Sequence, residues 1–102
     1  MSSPQSQFIV TVAFNVKPEH ISRMRLIAQD LTTASRAEDG CILYLFSESR
    51  EKLNRFFLYM IWRDEEAFNR YGDMPLLRAF DSGIAKELLK GSYTIDTWES
   101  LG

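Results

Sequence analysis

The run from Phe56 to Trp62 (FFLYMIW) is apolar at every position. A β-strand sends successive side chains to opposite faces, so a strand with this sequence needs cover on both sides. That requirement constrains the fold more than any other feature of the chain. Asp64 is placed to cap a helix start, with Glu65 and Glu66 in the first turn, where negative charge meets free N–H groups. The short helix predicted there carries Phe68 and Tyr71. Gly72 and Asp73 break it, and Pro75 opens another helix without loss of a hydrogen bond. One buried strand and two short helices folded back over it should supply most of the walls of any small-molecule pocket.

The rest of the chain supplies partners for that strand. Phe8, Val10, Val12, Phe14 and Val16 alternate with Ile9, Thr11, Ala13 and Asn15, which predicts a central strand with one apolar and one semi-polar face. Pro18 and Glu19 open an amphipathic helix to about Arg36, with Ile21, Met24, Ile27 or Ala28, Leu31 and Ala34 on its apolar side. Asp39-Gly40 is a turn signal, and Arg36 is expected to pair with Glu38 or Asp39 there. Cys41 to Ser47 is the second strand, with Ile42, Tyr44 and Phe46 on one face and Cys41, Leu43 and Leu45 on the other. A charged connection, Glu48 to Leu53, leads to the third strand. Pro75 to about Lys90 is a second amphipathic segment, weakened at Gly83 and capped by Gly91. Tyr93 to Glu99 is the last strand.

The order β-α-β-β-α-α-β specifies an α+β, ferredoxin-like split βαβ fold, a four-stranded antiparallel sheet with helices on one side. Helices then cover one face only. The second and third strands are apolar on both, so the uncovered face would exceed the few hundred Å² usual on monomers. A second copy of the chain is the simplest cover, which predicts a homodimer.

At 102 residues this is one domain, expected over residues 8–102, behind a disordered polar tail at residues 1–7. The net charge of −2 is spread without a basic stripe, which argues against nucleic acid and membrane surfaces as partners. No stretch has the length of a membrane span, and the start lacks the pattern of a signal peptide. The single cysteine, Cys41, suits a reducing compartment and hence the cytoplasm. His20 and Cys41 are too far apart to form a metal or nucleophile pair, and no glycine loop cradles a phosphate, so neither metal nor nucleotide cofactor is expected.

The runs SRAEDGCILYLF, NRFFLYMIWRDEEAF and MPLLRAF, within a match from about Phe8 to Glu99, resemble the antibiotic biosynthesis monooxygenase family. The resemblance implies a dimeric α+β barrel and oxygenation of a phenolic or quinol-like small aromatic without a cofactor. The departures are specific. Met60 stands where many members have Glu, Tyr71 and Leu76 where many have His, and Leu58 where the quinone-forming branch has Asn. The haem-degrading branch carries Asn and an axial His where this chain has Thr11 and Asp81. Trp62 and Tyr71 are then the catalytic candidates. Thr11, Asn15, Trp62, Tyr71 and Arg78 are the substrate-binding candidates. Each also has an ordinary reading: Trp62 as core, Tyr71 as a pocket hydroxyl too basic to act as a base, Arg78 as a solvated helix residue, Thr11 and Asn15 as sheet polars. The alternative function is a non-catalytic, small-molecule-binding dimer that has lost the family's polar site residues.

Overall fold

The computed structural model describes residues 7–102. Of the tail expected over residues 1–7, all but Gln7 lies outside the described residues. The strands are β1 (Phe8–Val16), β2 (Cys41–Glu48), β3 (Arg55–Trp62) and β4 (Leu89–Trp98). They form one antiparallel sheet in the order β2-β3-β1-β4, the ferredoxin-like arrangement. Helix α1 (Ile21–Arg36) crosses from β1 to β2 after a 3₁₀ turn at Pro18–His20. Helix α2 (Glu65–Gly72) follows β3, and the Asp64 carboxylate accepts from the Ala67 N–H at 2.8 Å as its cap. The next helical run starts as α3 (Pro75–Ala79), widens into a π-turn at Phe80–Ile84 and closes as α4 (Ala85–Leu88).

The helices cover one face of the sheet. Phe56, Leu58, Met60 and Trp62 lie opposite Phe14, Val12, Val10 and Phe8, and this face carries the core. Helix α1 seals it with Met24, Ala28, Leu31 and Ser35, all buried at helical spacing. Among the described residues, none forms a layer over the other face. Its cross-strand rows read Leu43, Ile61, Ile9, Trp98 and then Leu45, Tyr59, Thr11, Asp96. Leu43, Leu45 and Phe57 remain 38%, 48% and 43% exposed. Trp98 leans over β1 and donates its indole N–H to Thr11 Oγ1 at 2.8 Å.

Three local expectations are corrected. The second helical run ends at Leu88, and Gly91, at φ +77°, lies inside β4 instead of capping the helix. There the pairing with β1 slips between Ala13↔Thr94 and Asn15↔Lys90, a bulge whose left-handed position suits glycine. A second bulge between Cys41 and Leu43 turns Ile42 outward and brings Cys41 onto the core face opposite Trp62. Arg36 does not pair with Glu38 or Asp39. It donates twice to the Tyr44 carbonyl, at 2.9 and 3.2 Å, on the edge strand, and Asp39 pairs with Arg63 at 3.1 Å.

The turn between α1 and β2 depends on Gly40. Its φ is +90°, and a Cβ there would lie 2.5 Å from the Ala67 Cβ. Gly40→Ala is expected to cost about 1–3 kcal/mol in backbone strain, with the overlap added to it. For a chain of this size each kcal/mol lowers Tm by roughly 4–8 °C. A thermal melt of the variant that matches the parent would show that the turn relaxes freely.

Candidate active site

A cavity of about 240 Å³ lies between the covered face of the sheet and the helices that follow β3. Its floor includes Val12, Leu58 and Met60, and Phe68, Tyr71, Leu77 and Phe80 form much of its roof. The stretch from Asn54 to Phe80 contributes a large part of the wall, but not the majority that its sequence suggested. Strands β1, β2 and β4 supply most of the remainder, with Tyr44, Tyr93 and Ile95 among their contributions, and Leu31, Asp81 and Ala85 come from the helical segments. A larger depression, about 510 Å³, runs between α1 and the β2 edge. It is a surface groove whose charges are already engaged: Arg25 grips Glu48 through two bonds of 2.8 Å, and Arg36 holds the Tyr44 carbonyl. The smaller cavity is the better candidate because its walls are apolar and its few polar groups converge.

Those polar groups are hydroxyls and one carboxyl. The Tyr44 and Tyr71 hydroxyls are hydrogen-bonded to each other at 2.8 Å, with the rings edge to face at 5.8 Å. Tyr71 projects from α2 and Tyr44 from the inward face of β2, so the bond ties the roof to the edge of the sheet. The Ser35 hydroxyl of α1 is fully buried beside this pair; it is not on the cavity wall and, among the described residues, makes no hydrogen bond of good geometry. Burial pushes the Tyr71 hydroxyl well above the usual phenol range, and the adjacent Tyr44 adds to the effect. Burial raises Tyr44 as well. Both phenols therefore stay protonated at neutral pH and act as donors. Only one of the pair can donate to the other, so the second keeps a proton to offer.

Among the described residues, Asp81 is the one charged residue lining the cavity. It sits in the π-turn, four residues after Leu77 and four before Ala85, both of which also line the cavity. Burial raises its carboxyl above the usual carboxylate range.

The proposed site residues separate. Trp62 and Tyr71 come together, ring centroids 4.7 Å apart and tilted by 34°. Trp62 is wholly buried behind Tyr71 and is not on the cavity wall; its indole N–H points to Met60 Sδ at 3.5 Å. Thr11 and Asn15 are on the opposite face of the sheet, because β1 alternates and its even-numbered residues face the cavity. Thr11 meets Trp98, and Asn15 accepts from Arg55 at 3.4 Å. Arg78 is exposed on α3, 3.5 Å from Asp73, and does not line the cavity. Sequence reading gave Tyr44 no role beyond its place on one face of the second strand and weighed Asp81 only as a departure from the haem-degrading pattern. The available signal was a carboxylate at i+4 from Leu77 on an apolar stripe.

Residues 7–82 match the family described as antibiotic biosynthesis monooxygenase, and the chain belongs to it. Membership supports a monooxygenase type of function in general. A Synechocystis protein described as uncharacterized is 29% identical over 72 residues, which cover 71% of this chain and 49% of that protein, so the match spans about half of its length. Among solved structures, a Pseudomonas aeruginosa protein, PA3566, superposes with a TM-score of 0.88 at 24% identity, covering 99% of this chain and all of that one. A Mycobacterium tuberculosis protein, Rv0793, superposes at 0.86 with 25% identity, over 95% of this chain and 97% of its own. These likenesses fix the fold.

The hydroxyl pair yields a stability prediction. Tyr71→Phe strands the buried Tyr44 hydroxyl and is expected to cost about 1–3 kcal/mol. Tyr44→Phe with Tyr71→Phe together should cost less than the sum of the single changes. Urea unfolding of the four proteins measures this coupling, and strictly additive values would show that the bond contributes nothing.

Proposed function

We propose that the protein is a cofactor-independent monooxygenase for a one- or two-ring phenolic or quinol-like aromatic. The observation that carries this reading is the apolar cavity under the helices, ending at the Tyr44–Tyr71 hydroxyl pair. Its volume, about 240 Å³, is below the roughly 300–1,000 Å³ of sites for drug-sized ligands and suits a small planar ring. The free proton of the hydroxyl pair faces an oxygen on that ring. As the phenol becomes a phenolate, the bond strengthens, which lowers the barrier in the manner of an oxyanion hole.

The reaction balances with molecular oxygen alone. A phenol that carries a ring hydrogen, plus O₂, gives a quinone plus water. One oxygen atom enters the ring, the other leaves as water, and the substrate supplies all four electrons. The chain's part is to bind the ring, exclude water and hold the developing negative charge. Trp62, packed against Tyr71, fixes the angle of the phenol donor and has no direct contact with substrate. Thr11, Asn15 and Arg78 are left outside the substrate contacts.

The uncovered sheet face, with Leu43, Leu45 and Phe57 half exposed, supports a homodimer in which two sheets close on each other. The single free thiol, Cys41, suits a reducing cytoplasm. A second reading, a binding dimer without turnover, is favoured by one observation: both cavity tyrosines are held neutral and cannot act as bases.

Oxygen uptake with a panel of naphthols and dihydroxybenzenes separates the two readings. With ¹⁸O₂, one labelled atom is expected in each quinone formed. Tyr71→Phe should lower kcat by about 10²-fold or more, the usual effect of removing an oxyanion donor. Saturable binding without oxygen consumption by the wild type would establish the binder instead. The dimer is tested by mass in solution. Twice 11.8 kDa is expected for the parent, and Leu45→Glu with Phe57→Glu should give the single subunit.

A further inference from the structure

We propose that Asp81 is the base that takes the substrate's phenolic proton. This rests on the reading of the cavity as a phenol site and deepens it. The hydroxyl pair stabilises a phenolate but cannot make one, since neither tyrosine is ionised. Among the described residues Asp81 is the single charged side chain on the cavity wall, and no lysine, arginine or histidine lines it. Tyr44, Tyr71 and Asp81 line the same cavity, so acid and donors bear on the same space. The backbone that places it is unusual. Asp81 is the second residue of a π-turn, a form of helix that occurs mostly as single turns and often at functional sites.

The groups around Asp81 leave it free for this work. Tyr44 from β2, Tyr71 from α2 and Tyr93 from β4 line the same cavity, and none of them is cationic. Arg78, one helical turn earlier, is paired with Asp73. Among the described residues the carboxylate has no ion-pair partner, and burial raises its proton affinity. Asp81 is also exposed as a residue, so solvent reaches it.

In the step proposed, the substrate O–H bond breaks and its electron pair stays on the phenol oxygen. The proton forms a new O–H bond on the Asp81 carboxylate. A ring carbon of the phenolate then forms a C–O bond to O₂, and Asp81 returns the proton to the outer oxygen to give a hydroperoxide. The C–H bond at that carbon breaks, and its electron pair forms the C=O bond as the O–O bond cleaves. The released hydroxide takes the ring proton through Asp81 and leaves as water. No other oxidant or reductant takes part.

The test is the pH profile of kcat/KM for oxygen uptake, taken on Asp81→Asn and Asp81→Glu with the phenol panel. For the wild type the rate should rise as Asp81 ionises, above the ordinary carboxylate range, and then level off. Asp81→Asn should lose about 10²–10⁴-fold at neutral pH and then climb tenfold per pH unit toward the substrate's own pKa, as hydroxide replaces the missing base. Asp81→Glu should keep the wild-type profile at reduced rate. Binding of 1,4-naphthoquinone, which has no proton to give, should be unchanged in both variants by quenching of tryptophan fluorescence. An active wild type with an equally active Asp81→Asn, or with the same profile in both, overturns the role of Asp81 and leaves the oxygenase reading standing. Absence of uptake by the wild type across the panel overturns both.

Discussion

A sheet with two oily faces and helices for only one of them is the constraint from which the rest follows. The β3 run forces it, since Phe56 to Trp62 has no polar side to turn outward. The covered face becomes the core, with Trp62, Met60 and Val10 fully or nearly fully enclosed. The uncovered face keeps Leu43, Leu45 and Phe57 in partial contact with water. Apolar burial at ~25 cal/mol per Å² makes closure of that face by another layer strongly favourable. The same one-sidedness leaves room for the cavity. Short helical pieces cannot pack against the sheet along their whole length, and the gap beneath them stays lined by side chains from both layers.

The cavity is chemically asymmetric because its elements meet at one polar point. Helix α2 delivers Tyr71, the inward face of β2 delivers Tyr44, and the π-turn delivers Asp81. The rest of the wall is apolar apart from the Met60 thioether and the Tyr93 hydroxyl. In such surroundings a neutral hydroxyl donor is worth more than in water, and an unpaired carboxylate is more basic. In the proposed mechanism the two tasks are separate, charge stabilisation by the phenols and proton transfer by the carboxylate.

Most of the fold was legible in the sequence because the period-2 and helical patterns are strong and the turn chemistry agrees with them. Asp64 caps α2, Pro75 opens α3, and the antiparallel order follows from the element sequence. The errors in strand faces and boundaries came from bulges. One extra residue at Cys41–Leu43 and another irregularity around Gly91 shift faces and boundaries, and neither leaves a trace in hydrophobic alternation. The site was legible only in part. Tyr71 was visible as an aromatic beside a capped helix start. Thr11 and Asn15 looked suitable because they are polar, but strand alternation sends them to the face away from the helices. Trp62 looked like a stacking surface, yet its size places it deepest, where it supports Tyr71 instead.

The π-turn at Phe80–Ile84 has a geometric corollary. Such a turn is an α-helix with one residue too many, and each α-helical residue advances the chain by about 100°. Loss of a single residue there would restore a regular helix and swing the segment from Pro75 through that angle relative to the strand that follows. A one-codon deletion would thus change which side chains face the hollow while leaving every strand pairing intact, a short route by which one scaffold acquires a different lining.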